Sequence, residues 1–249
     1  MVIPVGDHNP ARRTPWVTWL LIAVNVFVFV FLQPWAEDAC AQHAFFLEWA
    51  AVPYELFDGE PLDADEVRAT TPPACGLEPA TDKNVYLAVL WSLFLHAGWL
   101  HLLGNMLYLS IFGNNVEDRL GHLRFLLFYL ACGVIATLAF AIPNASSPVT
   151  LVGASGAIAG VLGAYFVLFP GATVTVLVPF LFFLPLRLPA LLVLGGWFLL
   201  QLAETQGGMA GTDVAYLAHV AGFVAGIVLV TLFGGRRRAR TRAQPPPRW

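Results

Sequence analysis

The chain has 249 residues, of which 58% are hydrophobic and only 12% charged, with a mean hydropathy of +0.70 and a formal net charge of −3. A soluble domain normally carries about a quarter charged residues, so this composition excludes an ordinary soluble enzyme and implies a polytopic membrane protein. No nucleic-acid partner is expected.

Apolar runs able to cross a hydrocarbon core of ~30 Å fall at 16–32, 92–112, 123–142, 152–169, 188–202 and 214–233. Six spans is the simplest count, and the expected fold is an all-α, six-helix membrane bundle. The first run follows Arg12 and Arg13. Its 17-residue core exceeds the h-region of a cleaved secretory signal, about 7–15 residues, so an uncleaved anchor is expected.

Residues 33–84 come next, with eleven Asp and Glu against Arg68 and Lys83 alone. Positive residues favour the cytoplasm. Arg12 and Arg13 at one end, and Arg236, Arg237, Arg238, Arg240, Arg242 and Arg248 at the other, assign both termini to the inside. That requires an even number of crossings and puts 33–84 outside, as a solvated spacer, a cap or a substrate-docking surface. Cys40 and Cys75 both lie in this loop, where an oxidising exterior permits a disulfide if their geometry is compatible. Cys132, in the third span, reads as a small buried apolar residue.

The expected organisation is a cytoplasmic tail over 1–15, a membrane domain over 16–233 that includes the outer loop, and a basic cytoplasmic tail over 234–249. The tail fixes orientation and touches anionic lipid, and Pro245, Pro246 and Pro247 mark a disordered end. Residues 173–186 are apolar but short for a span and broken by Pro179 and Pro185. Charge parity makes them an interfacial or re-entrant piece on the cytoplasmic side, anchored by Arg187.

Four polar side chains stand out within the spans: His101 and Asn105 in the second, Ser155 opening the fourth, and His219 in the sixth. Ionisable groups in spans are costly and read as functional by default. His101 and Asn105 are four apart and share a helical face. Acyl transfer needs a nucleophile, a base in reach of it and donors aimed at the developing oxyanion. Ser155, His219 and the His101–Asn105 pair supply that set. Small residues at four-residue spacing let membrane helices approach closely, and Gly156 with Gly160, and Gly222 with Gly226, give both helices such a stripe. Asp213 and Glu204 read as boundary residues, which leaves a Ser-His dyad with no carboxylate.

His96-Ala97-Gly98-Trp99-Leu100-His101-Leu102-Leu103-Gly104-Asn105-Met106, then Gly153-Ala154-Ser155-Gly156, then Ala218-His219-Val220-Ala221-Gly222-Phe223, occur in that order. Together they resemble the rhomboid intramembrane serine proteases, of the bacterial type, over most of the chain. The resemblance implies a six-helix core in the bacterial inner membrane, with Ser155 as nucleophile and His219 as general base. His101 and Asn105 would stabilise the oxyanion with the Ser155 amide, and Gly153 would keep backbone close to the substrate. It further implies single-pass membrane proteins as substrates, cut near the outer surface after a small residue, with no cofactor. One departure is Leu87-Ala88, where many relatives carry a Trp-Arg pair; Trp91 is a candidate interfacial anchor.

Water must reach such a site. Gln206-Gly207-Gly208-Met209-Ala210-Gly211 is a lid candidate or a plain connection, and Gly195-Gly196 in the fifth span is a bend for substrate entry or a packing notch. A metalloprotease is disfavoured because His96 and His101, five apart, splay around a helix and no His-Glu-x-x-His is present. No aspartate pair lies in the spans for an aspartyl protease, and no carboxylate or inverted repeat supports a transporter. The remaining alternative is a catalytically inactive rhomboid-like binder of transmembrane helices. Metal is not expected, and the oligomeric state is open.

Overall fold

The computed structural model describes residues 2–34, 38–179, 182–206 and 215–232. In chain order the elements are β1 (Ile3–Asp7), α1 (Trp16–Phe27), α2 (Ala39–Trp49), α3 (Pro53–Asp58), α4 (Ala64–Thr70), α5 (Val85–Trp91), α6 (Trp99–Tyr108), α7 (Asn114–Leu120), α8 (His122–Ala141), α9 (Ser155–Leu168), β2 (Thr173–Val178), β3 (Leu184–Pro189), α10 (Ala190–Gln206) and α11 (Tyr216–Leu232). The basic tail, its prolines, Asp213 and most of the lid candidate lie outside the described residues.

The fold is mostly helical, and its departure from the all-α expectation is a three-stranded antiparallel sheet, ordered β1-β2-β3. The segment expected to be re-entrant is a hairpin. In Thr173-Val174-Thr175-Val176-Leu177-Val178 every second residue is buried, and β-branched side chains favour that two-residue period. Val174 pairs with Leu188 on one side and Asp7 on the other, so part of the expected N-terminal tail completes the sheet.

The second apolar run is displaced from its expected bounds of 92–112. Residues 92–94 continue α5, the chain breaks before Gly98, and the long helix runs from Trp99 to Leu120 through a π-helical turn at Leu109–Gly113. The two arms, Val85–Phe94 and Trp99–Leu120, meet at 78°. Gln33 holds the break: its amide donates to the His96 carbonyl (2.5 Å) and accepts from the His96 N–H (3.1 Å). His96 and His101 therefore do not share a helix, and instead of splaying apart their rings meet edge-on at 5.1 Å.

Extension to Leu120 also brings an acidic residue into the bundle. Glu117, 1% exposed, accepts the N–H groups of Val17 (2.9 Å) and Thr18 (2.7 Å) at the start of α1, and the Thr18 hydroxyl. A carboxylate at a helix N-terminus meets unpaired N–H groups and the positive end of the dipole.

The acidic segment over 38–84 is a folded unit. Leu47, Val52, Leu62 and Val67 form a small core, Asp63 and Glu66 cap α4 reciprocally, and a disulfide joins Cys40 to Cys75 with Cα atoms 5.3 Å apart. Lys83 and Glu55, almost wholly buried, form an ion pair at 2.5 Å, and the Lys83 ammonium donates to the Leu47 carbonyl at 2.8 Å. Burial pushes the Lys83 ammonium below its ordinary pKa, and Glu55 only partly opposes this.

Among the described residues the apolar helical segments are α1, α6–α7, α8, α9, α10 and α11. Among the described residues, His122–Asn144 is the one helix long and apolar enough to cross a membrane unaided, and the bent pair adds a second if counted as one span. Trp16–Leu32, Ser155–Leu168, Ala190–Thr205 and Tyr216–Leu232 are apolar but shorter.

α9 sits between α8 and α11 with almost no side-chain layer on either side. A Cβ on Gly160 would lie 2.5 Å from Cys132, and one on Gly156 would lie 2.7 Å from Ala136, both on α8. On the other flank, Cβ atoms on Gly222 and Gly226 would collide with the carbonyls of Gly156 and Gly160, and one on Gly163 with that of Phe223.

Gly222→Ala is expected to destabilise the fold by about 1–3 kcal/mol through overpacking, seen as a lower thermal midpoint in detergent. Gly104→Ala, whose added methyl meets nothing within 4 Å, should not lower it. In the cap, Lys83→Met should cost about 3–5 kcal/mol by stranding Glu55. The double variant Lys83→Met/Glu55→Leu should recover part of this in denaturant titrations, since the Leu62 N–H then loses its acceptor and the Leu47 carbonyl its donor, but no charge is left buried.

Candidate active site

Ser155 is the first residue of α9, preceded by an extended connection held at two points. The Leu151 N–H donates to the Ala51 carbonyl (2.7 Å) and the Gly153 N–H to the Ser92 carbonyl (2.9 Å). Ser92, 2% exposed, ties these contacts together, because its hydroxyl accepts the Ala51 N–H (2.6 Å) and donates to the Ala88 carbonyl (2.8 Å). The disulfide-bonded cap and the end of α5 thus fix the approach to Ser155. The sequence marked Ser92 only as the start of a span.

Gly153 has φ +126°, a conformation that L side chains rarely adopt. Space demands glycine as well, since a Cβ there would sit 2.7 Å from both Cε1 and Nε2 of His101, and 3.7 Å from the Ser155 Oγ. The His101 ring therefore lies directly against the turn that delivers Ser155.

His219, one turn into α11, faces Ser155 across the glycine crossing, with its Nε2 2.8 Å from the Ser155 Oγ. Its other nitrogen, Nδ1, is 2.7 Å from Gln201 Oε1 on α10. Trp197, one turn before Gln201, lies beside the imidazole with ring centroids 6.0 Å apart. Ser155, His101 and His219 are partly exposed, so the group is open rather than sealed.

On α6 the His101 Nδ1 is 3.4 Å from the Ala97 N–H, a long hydrogen bond. A neutral ring that accepts at Nδ1 carries its proton on Nε2, the nitrogen nearest Gly153. Asn105, one turn on, is 7% exposed and its Nδ2 is buried with no protein partner. Buried donors are normally paired, so this amide is left free to meet a further acceptor. In α9 the first intrahelical bond runs from the Ile158 N–H to the Ala154 carbonyl (2.9 Å), so the N–H groups of Ser155, Gly156 and Ala157 have no acceptor within the helix.

The structure brings together Ser155, His219, His101 and Gly153 and gives Asn105 the same helical face as His101. Gly156, Gly160, Gly222 and Gly226 lie at the crossing beneath them. Gln201, Ser92 and Gln33 are the residues that sequence reasoning missed. Gln201 was the most accessible of these, as an amide in an apolar span about one and a half turns beyond the Gly195-Gly196 pair. Among the described residues no three His, Cys, Asp or Glu side chains gather as a metal site would require.

Residues 83–236 match the family model of the Rhomboid domain. Rhomboid-like protein 11, chloroplastic, of Arabidopsis thaliana is 32% identical over 150 residues, 56% of this chain and 49% of that protein. Rhomboid-like protease 5 of Toxoplasma gondii is 34% identical over 149 residues, 56% of this chain and 15% of that protein. Rhomboid protease GluP of Bacillus subtilis (strain 168) is 45% identical over 76 residues, 30% of this chain and 14% of that protein. The chain spans about half the length, or less, of these relatives. Because the family model covers well over half of the sequence and contains all the residues gathered around Ser155, the chain belongs to the rhomboid family, whose members are integral to membranes.

Proposed function

We propose that this protein is an intramembrane serine endopeptidase that cleaves single-pass transmembrane proteins with a Ser155–His219 dyad. The observation that carries the reading is the 2.8 Å contact between the Ser155 Oγ and the His219 Nε2. Two relatives with local matches are named as proteases, which supports the same class.

In this mechanism the Ser155 hydroxyl donates to Nε2 and attacks the scissile carbonyl as its proton passes to the imidazole. The proton is then delivered to the leaving amine, and a water deacylates the ester by the same route in reverse. The oxyanion is met by the Ser155 N–H, aided by the positive end of the α9 dipole, by the His101 Nε2–H and by the Asn105 amide. No metal or organic cofactor takes part. Gly153 keeps the reacting backbone accessible to an extended peptide, which a substrate helix supplies where it unwinds.

The topology that fits is six crossings over residues 16–233, with 1–15 and the basic 234–249 in the cytoplasm and the disulfide-bonded cap outside, in the inner membrane of a bacterium. The cap is tied to the site through the Ala51–Leu151 pairing, so its orientation and that of Ser155 are one question. Cysteines introduced one at a time, in the Cys132→Ala background, at Glu60 in the cap and Ala11 near β1 should react with an impermeant maleimide from opposite sides of oriented membranes. Labelling of both from one side would refute a crossing by α1 and with it the six-crossing topology.

Cleavage of a fluorescent single-pass substrate by the purified protein is the central test. Ser155→Ala and His219→Ala should each abolish turnover, His101→Ala or Asn105→Ala should lower kcat by about 10²–10³, and a chelator should change nothing. A parent inert toward helix-destabilised substrates and toward a fluorophosphonate would replace this reading with that of a non-catalytic binder of transmembrane helices.

A further inference from the structure

The second nitrogen of His219 has a partner that the dyad alone does not account for. A general base in a Ser-His pair must present an unprotonated Nε2 to the serine, so a neutral imidazole has to carry its proton on Nδ1. In water the two tautomers interconvert freely, and an unheld ring also rotates away. Something must hold both proton and plane.

Gln201 is placed to do so. α10 turns Leu199, Leu200 and Leu202 outward, at 64%, 38% and 36% exposure, and turns Gln201 inward to 5%. Its Oε1 lies 2.7 Å from the His219 Nδ1, and Trp197, four residues earlier on the same face, flanks the ring. A carboxamide oxygen is only an acceptor, so this contact requires a proton on Nδ1 and leaves Nε2 free to accept from Ser155 at 2.8 Å. The opposite amide orientation would offer N–H to Nδ1 and force the proton onto Nε2, disarming the base.

We infer that Gln201 is a positioning residue that, through its side-chain carbonyl, locks the tautomer and plane of His219, making the dyad a Ser-His-amide array with α10 as a working part of the active site. The inference rests on the endopeptidase reading above. When Ser155 attacks, its proton moves to Nε2 and the Nδ1 proton stays in its hydrogen bond to Gln201, so no charge leaves the pair and no further acid is needed. A neutral amide suits the location, because a carboxylate in an apolar span is expensive to keep ionised. The same role for an amide occurs in Cys-His-Asn proteases, where it orients the imidazole without adding charge.

The test compares the purified parent with Gln201→Met, which keeps length and apolar volume but removes the acceptor, and with Gln201→Glu, which restores an acceptor oxygen at the same reach. Expected for Gln201→Met is a kcat lower by on the order of 10–100-fold with KM within about twofold, and a matching loss in the rate of fluorophosphonate labelling of Ser155. Gln201→Glu should recover most of both. Gln201→Met retaining parental kcat overturns the inference and leaves the endopeptidase reading intact, as does an equal loss in both variants when both keep the parental thermal midpoint, since that pattern is packing alone. A parent that neither cleaves nor labels overturns both readings. Should the variants fail to fold, nitrogen-15 spectra of the histidine-labelled parent decide: a neutral His219 ring protonated at Nδ1, assigned by its loss in His219→Ala, supports the inference, and one protonated at Nε2 overturns it.

Discussion

The near contact of backbones between α9 and α11 is the constraint on which the rest depends. Gly222 and Gly226 meet the carbonyls of Gly156 and Gly160, and no side chain larger than hydrogen fits between them. In a membrane the hydrophobic effect does not drive helices together, so association rests on van der Waals packing and on polar contacts. A glycine crossing supplies the first by exposing backbone to backbone. It also fixes the second, because Ser155 starts one helix and His219 lies one turn into the other, and the crossing sets their separation at hydrogen-bonding distance.

Around that crossing, each neighbouring element makes one defined contact. α8 receives the other face of α9 at Cys132 and Ala136. α6 brings His101 against Gly153, where a positive φ and the lack of a side chain leave room for the ring. The cap and α5 hold the connection ahead of Ser155 through Ser92, and α10 meets the far side of His219 through Gln201. The small sheet and Glu117 serve the other end of the bundle, where they join the start of α1 to α7 and β1 to β2.

Much of the site was legible in the chain. Ser155, His219, His101 and Asn105 are polar residues at positions where lipid would normally exclude them, and the cost of that placement is itself the signal. The glycine stripes were equally plain, since their spacing is a one-dimensional property of each helix. Gln201 was not legible as a partner, because a single amide in an apolar run has no periodic signature and its meaning depends on which helix packs beside it. The break at Gly98 was also hidden: 92–112 reads as one apolar run, and hydropathy does not register that Gln33, some sixty residues earlier, captures the His96 backbone. The sheet was missed because a short apolar strand and a short apolar helix segment look alike until a partner strand is known.

By itself the sequence determined which residues would have to be buried, which helices would be able to approach closely and which four polar side chains would have to sit among apolar ones, because burial cost and helical spacing are properties of composition and local order. Only the tertiary structure decided that the acidic loop is a disulfide-bonded cap tied to the approach of Ser155, that 173–178 and 184–189 pair as strands of a sheet completed by β1, and that His219 is held from both of its nitrogens. Those outcomes depend on contacts between residues far apart in the chain, and pairing partners are settled by packing rather than by any local pattern.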